Sequence, residues 1–214
     1  MPKSTVWTIV VAAGAGVRFG ARKQYERLDT RRVLDWAVAS ARAASDGVVL
    51  VVPAELAGNN EDEPNAVVSG GATRSASVRA GLAAVPPEAD VIVVHDAARP
   101  LAQAWLFKSV IVAVRAGADG AVPGLPIADT VKRVRDGEVR ATLDRSDLVS
   151  VQTPQAFRAG ALRQAHADGG EASDDAALVE AAGGRVVVVA GDPLNTKVTS
   201  PDDLARARDY VGGS

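Results

Sequence analysis

The apolar, β-branched run Val6-Trp7-Thr8-Ile9-Val10-Val11 passes directly into Ala12-Ala13-Gly14-Ala15-Gly16-Val17-Arg18-Phe19-Gly20. A run of this kind suits a strand covered on both faces, as in a parallel sheet. The glycines and alanines behind it let backbone approach a ligand closely, and loop N–H groups there can cradle phosphate. Similar apolar runs occupy Val48 to Val52, Val91 to Val94 and Val186 to Val189. Between them, helical patterning covers Val33 to Ala44, Ser75 to Ala84, Trp105 to Ala116, Asp174 to Ala182 and Pro201 to Tyr210. The last of these opens with Pro201 and two acids, which suits a helix start. Strands alternating with helices predict an α/β fold: a single-domain, Rossmann-like, mostly parallel sheet flanked by helices. Such sheets place ligands at the carboxyl ends of their strands. The loops after Val11, Val68, Val94 and Ala190 are therefore where function should sit.

One segment departs from the alternation. Val131 to Val134 and Val139 to Leu143 flank Arg135-Asp136-Gly137-Glu138, and Asp-Gly between alternating runs signals a hairpin. A hairpin arm at about 126–148, projecting from an α/β body, makes a dimer contact, a lid or an ordinary surface hairpin. Gly58 to Asn65 is polar, acidic and Pro-bearing, and reads as a mobile surface loop. No repeat and no low-complexity tract interrupts the chain, so one domain over residues 1–214 is expected.

Composition narrows the chemistry. The 214 residues include 47% hydrophobic and 23% charged side chains, ordinary for a globular protein. Aromatics are only 4%, so the core must come from Val, Ala, Leu and Ile. A domain of this length hides roughly 70% of its unfolded-chain surface and needs no covalent staples. Cys is absent, which excludes a disulfide scaffold, a thiolate nucleophile and a Cys-based metal site. Two histidines, His95 and His166, leave little for a His-rich site. With 24 basic and 26 acidic residues the net charge is −2, without the positive excess that non-specific nucleic-acid binding wants. No apolar run approaches the ~20 residues of a membrane span, and the start shows no signal peptide. A cytoplasmic protein is the expectation.

The first loop alone leaves several readings open. A dinucleotide site expects an acid about 20 residues after the glycines, at the end of the second strand; Pro53 stands there instead. The Lys-Ser/Thr pair of a Walker loop is also missing. Arg18 and Lys23 lie in and just after the loop, where cations would meet phosphates directly. A tight strand–helix turn with solvated cations remains an alternative.

The wider set of motifs is more specific. Lys23-Gln24-Tyr25 follows the glycine loop; then come Gly70-Gly71-Ala72-Thr73-Arg74-Ser75-Ala76-Ser77-Val78, His95-Asp96-Ala97-Ala98-Arg99-Pro100, Asp129-Thr130-Val131-Lys132, Gln152-Thr153-Pro154-Gln155-Ala156-Phe157 and Asn195-Thr196-Lys197-Val198-Thr199. In this order, from Val6 to Tyr210, the chain resembles the 2-C-methyl-D-erythritol 4-phosphate cytidylyltransferase family of the non-mevalonate isoprenoid pathway. The resemblance implies that CTP and the polyol phosphate give a CDP-alcohol and pyrophosphate. It implies Arg18 and Lys23 as the cations that stabilise charge building on the α-phosphate. Ala12, Ala13, Gly14, Ala15, Gly16, Gly71, Ser77, Asp96 and Ala97 would bind the nucleotide, with Asp96 holding Mg²⁺. Arg99, Thr130, Arg145, Ser173 and Lys197 would bind the acceptor. Of these, Arg99, Thr130 and Arg145 would serve a neighbouring subunit of a homodimer through the arm, and Arg145 and Lys197 would orient the nucleophile. The bland readings stay beside these: Ser77 bonded to helix backbone, Asp96 capping a turn, Arg145 a surface cation. Arg99 precedes Pro100, so extended backbone should leave its fork free to reach outward.

Three positions depart from the family pattern. Arg18 and Lys23 stand five positions apart, closer than usual, and Arg22 replaces a Pro, so Arg22 could share the cationic role. Ser173-Asp174 stands for a usual Thr-Asp. Pro193-Leu194 stands before Asn195 where an acid is common, so a contact to the acceptor would be lost or moved to Asp192. The chain stops at Ser214, right after the last helix, so no fused downstream enzyme is expected. Rival readings are a ribitol 5-phosphate cytidylyltransferase, a purine- or uridine-using sugar nucleotidyltransferase, an oxidoreductase and a non-catalytic nucleotide-binding module.

Overall fold

The computed structural model describes residues 4–16, 19–58, 61 and 63–213. Arg18, an expected catalytic cation, lies outside the described residues.

Strand β1 (Val6–Val11) lies in the interior of the sheet. It pairs in parallel with β4 (Gly47–Val52) on one side and β6 (Val91–Asp96) on the other. Beyond β4 lies β5 (Ala66–Ser69), also parallel. Beyond β6 comes β11 (Gln155–Arg158), antiparallel to it, and then β7 (Gly120–Pro126). Strand β12 (Val186–Ala190) runs parallel to β7, and β10 (Val149–Val151) pairs antiparallel with the end of β7. Thus β10 and β11, separated by the Thr153–Pro154 cis peptide, supply the antiparallel strands of an otherwise parallel eight-stranded sheet. A short ribbon, β2 (Arg27–Leu28) with β3 (Arg31–Arg32), follows the first loop.

Side-chain alternation along each strand divides the core in two. Val6 and Val10, Val48, Leu50 and Val52, and Val91 and Val93 face one layer. There they meet α1 (Val33–Arg42) and α3 (Ala104–Arg115), whose Leu34, Val38, Phe107 and Val110 are buried. Ile9, Val49, Val51, Ile92 and Val94 face the other layer. That layer holds α2 (Arg74–Ala84), α4 (Ala159–Ala167) and α5 (Asp175–Ala181), with Val78, Leu82, Leu162 and Val179 buried. Helix α6 (Pro201–Gly212) closes a smaller cluster of Leu28, Val33, Leu101, Val198 and Leu204. Burying a side chain such as Leu50 or Phe107 stabilises by about 1.5–3 kcal/mol. Aliphatic residues and few aromatics fill this core, as the composition predicts.

The expected strands and helices all form, with ends shifted by at most two residues. The sequence patterns missed β7, β10, β11, α4 and the short β2–β3 ribbon. The hairpin is present: β8 (Lys132–Arg135) pairs with β9 (Glu138–Thr142) as a two-stranded sheet of its own. Asp136 and Gly137 both have positive φ, 53° and 78°, as a type I′ turn requires. Its strands are almost wholly exposed, including Val134 and Val139. The Gly58 to Asn65 stretch, expected to be mobile, is tied down at two described residues. Glu61 accepts from the Arg32 fork at 2.6 and 3.0 Å, and the Asn65 side chain accepts from the Val48 N–H at 2.9 Å. Among the described residues no helix is long and apolar enough to cross a membrane.

Candidate active site

Because β1, β5, β6 and β12 run the same way, their carboxyl ends open on one edge of the sheet. Val11 and Asp96 are register partners there. From this edge rise the glycine loop after β1, the Gly70–Gly71 turn after β5 and the segment 191–199 after β12. The first two of these and the start of α2 wall a cleft of about 400 Å³, which Asp96 and Lys197 also line. Other linings are Ala12 to Gly16, Lys23, Gln24, Gly71, Thr73, Arg74, Ser77 and Ala98.

The glycine loop is shaped from beneath. Gln24, almost wholly buried in a 3₁₀ turn, donates through its amide nitrogen to the carbonyls of Ala12 at 2.7 Å and Gly14 at 2.8 Å. Gly16 has φ +69°, and a Cβ there would come within 1.9 Å of the Ala21 carbonyl oxygen. Backbone contact of that kind admits glycine alone. Across the cleft, the Ser77 hydroxyl donates to the Thr73 carbonyl at 2.9 Å and accepts from the Gly71 N–H at 3.2 Å. The helix-backbone reading of Ser77 is therefore correct, and the same bonds set the Gly71 turn. A Cβ on Gly71 would meet the Ala76 Cβ at 2.5 Å, so this wall stays open only with glycine.

Charge converges on Asp96. Its Oδ2 accepts from Lys197 Nζ at 2.5 Å and its Oδ1 from Arg74 Nε at 3.3 Å. Burial alone would raise the Asp96 carboxyl, but the attraction of Arg74 and Lys197 outweighs it and holds the group well below the usual carboxylate range. Arg74 is pushed up: the Asp96 and Asp175 carboxylates beside it overcome the cost of its burial. The Asp96 backbone N–H donates to Thr153 Oγ1 at 3.0 Å, and Thr153 Oγ1 lies 3.2 Å from His95 Nδ1. With that hydroxyl donating to Nδ1, the other ring nitrogen of His95 donates to the Arg99 carbonyl, 3.2 Å away. This is the neutral tautomer, and burial pushes His95 down to about 4. His95 is thus a packing and hydrogen-bonding residue.

Segment 191–199, which carries Lys197, is fastened at several points. Arg99 Nη1 donates to the Asn195 carbonyl at 2.7 Å, and Gln152 Nε2 donates to the Asp192 carbonyl at 2.8 Å. Asn195 Nδ2 donates to the Thr153 carbonyl at 2.9 Å, and the Val198 N–H to the Ala98 carbonyl at 2.8 Å.

Of the expected site residues, the structure brings Ala12 to Gly16, Lys23, Gly71, Ser77, Asp96 and Lys197 to one cleft. Several expectations need correction. Arg99 does not reach outward: its largely buried fork spends a donor on Asn195, because the segment bearing Lys197 packs over it. Ala97 is fully buried, its N–H bonded to the Val11 carbonyl, and Ala98 lines the cleft instead. Arg22 does not join Lys23 but pairs with Glu55. The Asp192 carboxylate is taken up by the Leu194 N–H at 2.9 Å. Thr130, Arg145 and Ser173 are exposed and do not line this cleft. Sequence reasoning missed Gln24 and Arg74, although both sit inside quoted motifs. An amide close behind a glycine loop and an arginine at a helix start were the available signals.

Among the described residues no three His, Asp or Glu side chains converge on a metal site. A divalent cation shared with phosphates needs only one or two carboxylates, water and phosphate oxygens completing it. Asp96, ionised and facing the cleft, fits that requirement by itself.

Comparison with known proteins gives the family. The family described as "IspD: 2-C-methyl-D-erythritol 4-phosphate cytidylyltransferase" matches residues 6–213. A bifunctional enzyme IspD/IspF of Clavibacter michiganensis subsp. michiganensis is 46% identical over 219 residues, covering 95% of this chain and 53% of that protein. One from Solidesulfovibrio magneticus is 42% identical over 224 residues, covering 94% and 56%. The chain thus spans about half the length of these curated relatives. Among solved structures, 2-C-methyl-D-erythritol 4-phosphate cytidylyltransferase from Thermus thermophilus superposes with a TM-score of 0.82 at 32% identity, covering 95% of this chain and 98% of that one. Bifunctional IspDF from Campylobacter jejuni gives 0.82 at 27% identity, covering 95% and 54%.

Proposed function

Because this chain belongs to the 2-C-methyl-D-erythritol 4-phosphate cytidylyltransferase family, we propose that it transfers the cytidylyl group of CTP to 2-C-methyl-D-erythritol 4-phosphate. The products are 4-diphosphocytidyl-2-C-methyl-D-erythritol and pyrophosphate. The observation that carries the reading is the meeting of Lys23, Arg74, Asp96 and Lys197 in one cleft walled by the glycine loop and the Gly71–Ser77 turn.

A phosphate oxygen of the acceptor attacks the α-phosphorus of CTP in line. The new P–O bond forms as the bond to the β-phosphate bridge breaks, and pyrophosphate leaves. The nucleophile is already anionic, so no general base is required; the barrier is the approach of anion to anion. Catalysis is therefore alignment plus charge neutralisation. Lys23, with Arg18, stabilises charge on the α-phosphate. Backbone of Ala12 to Gly16 binds the triphosphate, and Gly71 and Ser77 shape the wall against the base. Asp96 would hold Mg²⁺, which when bound would neutralise phosphate charge. Lys197 takes the acceptor phosphate, turning from Asp96 to do so. Arg99 fixes the segment that carries Lys197.

Thr130 and Arg145 sit on the arm at about 126–148, outside their own subunit's cleft, which suits a homodimer in which each arm completes the partner's acceptor site. The described chain acts as one nucleotidyltransferase domain in the cytoplasm, where CTP is made. Pyrophosphate release, measured with each of the four nucleoside triphosphates in turn, tests the reading: release with CTP and methylerythritol phosphate supports it, and silence with that pair rejects it.

A further inference from the structure

Behind Asp96 stands a line of buried charge to which the reaction assigns no part. Asp175, wholly buried in the first turn of α5, lies 2.9 Å through Oδ1 from His166 Nε2 and accepts at Oδ2 from Arg74 Nη1 at 2.8 Å. Arg74 then reaches Asp96, and Asp96 reaches Lys197. Five side chains from α4, α5, α2, β6 and the segment after β12 thus form one continuous row. A second set of bonds locks the same elements together. Glu171 accepts from Thr73 Oγ1 and from Arg79 Nη2, both at 2.8 Å, and Arg79 Nη1 donates to the Gly170 carbonyl at 2.9 Å. The start of α2, with Arg74 at its first position, is therefore clamped to the segment leading into α5.

The row explains a difficulty in the proposed mechanism. Asp96 has two restraints, and one of them, Lys197, must leave for the acceptor phosphate. Only the bond from Arg74 then aims the carboxylate. Arg74 lines the same cleft, and a guanidinium beside a triphosphate has an obvious competing partner, since arginine binds phosphate as readily as carboxylate. Asp175 occupies one arm of the fork and keeps Arg74 on Asp96. His166 in turn fixes which way the Asp175 carboxylate points.

We infer that Asp175 and His166 are positioning residues that hold the Arg74 fork on Asp96, so that the carboxylate keeps its aim toward a divalent cation once Lys197 has moved. This inference rests on the cytidylyl-transfer reading of the cleft. Partners that orient a metal-holding carboxylate typically cost about 10- to 100-fold in metal affinity or activity when removed.

The test is a Mn²⁺ titration followed by electron paramagnetic resonance, with CTP present and no acceptor, so that no turnover occurs. Asp175→Asn and Arg74→Lys should each weaken Mn²⁺ binding and lower kcat by roughly tenfold or more, leaving the KM for the acceptor within about twofold. His166→Leu should behave like Asp175→Asn. His166→Gln, which keeps an N–H for Asp175, should restore both readouts. Should Asp175→Asn fail to fold, Arg74→Lys and His166→Leu carry the comparison. Variants that lose only thermal stability, with Mn²⁺ affinity and kcat unchanged, overturn the inference. So does a wild-type CTP complex that binds no Mn²⁺. A wild-type enzyme showing the expected Mn²⁺ pattern but no pyrophosphate release with methylerythritol phosphate would instead reject the acceptor reading and leave the positioning role standing.

Discussion

Lys197 and Asp96, 101 residues apart in sequence, meet at 2.5 Å on the floor of the cleft. The contact does two things. With Arg74 it keeps Asp96 ionised in a buried place, and it stores an ammonium beside the point where, on the proposed function, the acceptor phosphate arrives.

Lys197→Ala should therefore weaken the acceptor more than the nucleotide. A hydrogen bond to a charged group contributes about 1.5–3 kcal/mol, which is roughly a 10- to 100-fold rise in the KM for methylerythritol phosphate. The KM for CTP should move little. Initial-rate kinetics with each substrate varied separately decides this; an unchanged acceptor KM removes Lys197 from the acceptor site.

Lys23→Ala should act on the other kinetic constant. A cation placed where charge develops stabilises the transition state more than the bound substrate, and losing one such group costs about 10²–10³ in kcat. The short connection from the glycine loop and the diversion of Arg22 to Glu55 make Lys23 hard to replace locally. Turnover near the wild-type value would assign the role to another cation.

Fold and site were not equally legible in the sequence. Unbroken β-branched runs announce strands, so β1, β4 and β6, buried on both faces, and the outer strand β12 were visible. Strand β7 was not, because Gly120-Ala121-Val122-Pro123-Gly124-Leu125-Pro126 carries two prolines and two glycines, residues that argue against a strand. Its neighbours on both sides supply what its own propensity lacks. Helix α4 was missed because it starts directly after β11 at Ala159-Gly160 with no side-chain cap, leaving no start signal. For the site, the resemblance of its motifs to the family's pointed to Lys23, Gly71, Asp96 and Lys197. It could not say that Arg99 turns inward, since that depends on a segment almost a hundred residues later packing across it. Arg74 and Gln24 act through bonds to the site residues, and a sequence records no such bonds.

His95 makes a pH prediction with a definite sign. In the unfolded chain it takes up a proton near pH 6.5; in the fold burial delays this to about 4. Between those values the unfolded state binds more protons, so stability is full above about pH 6.5 and falls as pH drops toward 4, by about 3 kcal/mol at most. The Asp96 carboxyl, held low, adds a separate loss only below about pH 4. Urea unfolding at intervals from pH 7.5 to 4.5 should show the His95 slope, and His95→Gln should flatten it. An equal slope in that variant would assign it to other groups.

The arm gives a test that needs two defective proteins. In the proposed homodimer, the Arg145→Ala and the Lys197→Ala proteins should each be weak. If Arg145 serves the partner's cleft while Lys197 serves its own, a heterodimer of the two has one cleft missing both residues and one intact. Mixing after mild dissociation should then recover activity. Mixtures no more active than their parents would place both residues at a cleft within a single subunit, or neither at one.

The reaction itself is tested most directly by product identity. The enzyme is incubated with CTP, Mg²⁺ and equal amounts of 2-C-methyl-D-erythritol 4-phosphate and ribitol 5-phosphate, and the CDP-alcohols are separated and identified by mass spectrometry. Cytidylyl transfer to methylerythritol phosphate predicts 4-diphosphocytidyl-2-C-methyl-D-erythritol as the main product, with pyrophosphate in equal amount. CDP-ribitol as the main product, or no CDP-alcohol at all, contradicts it.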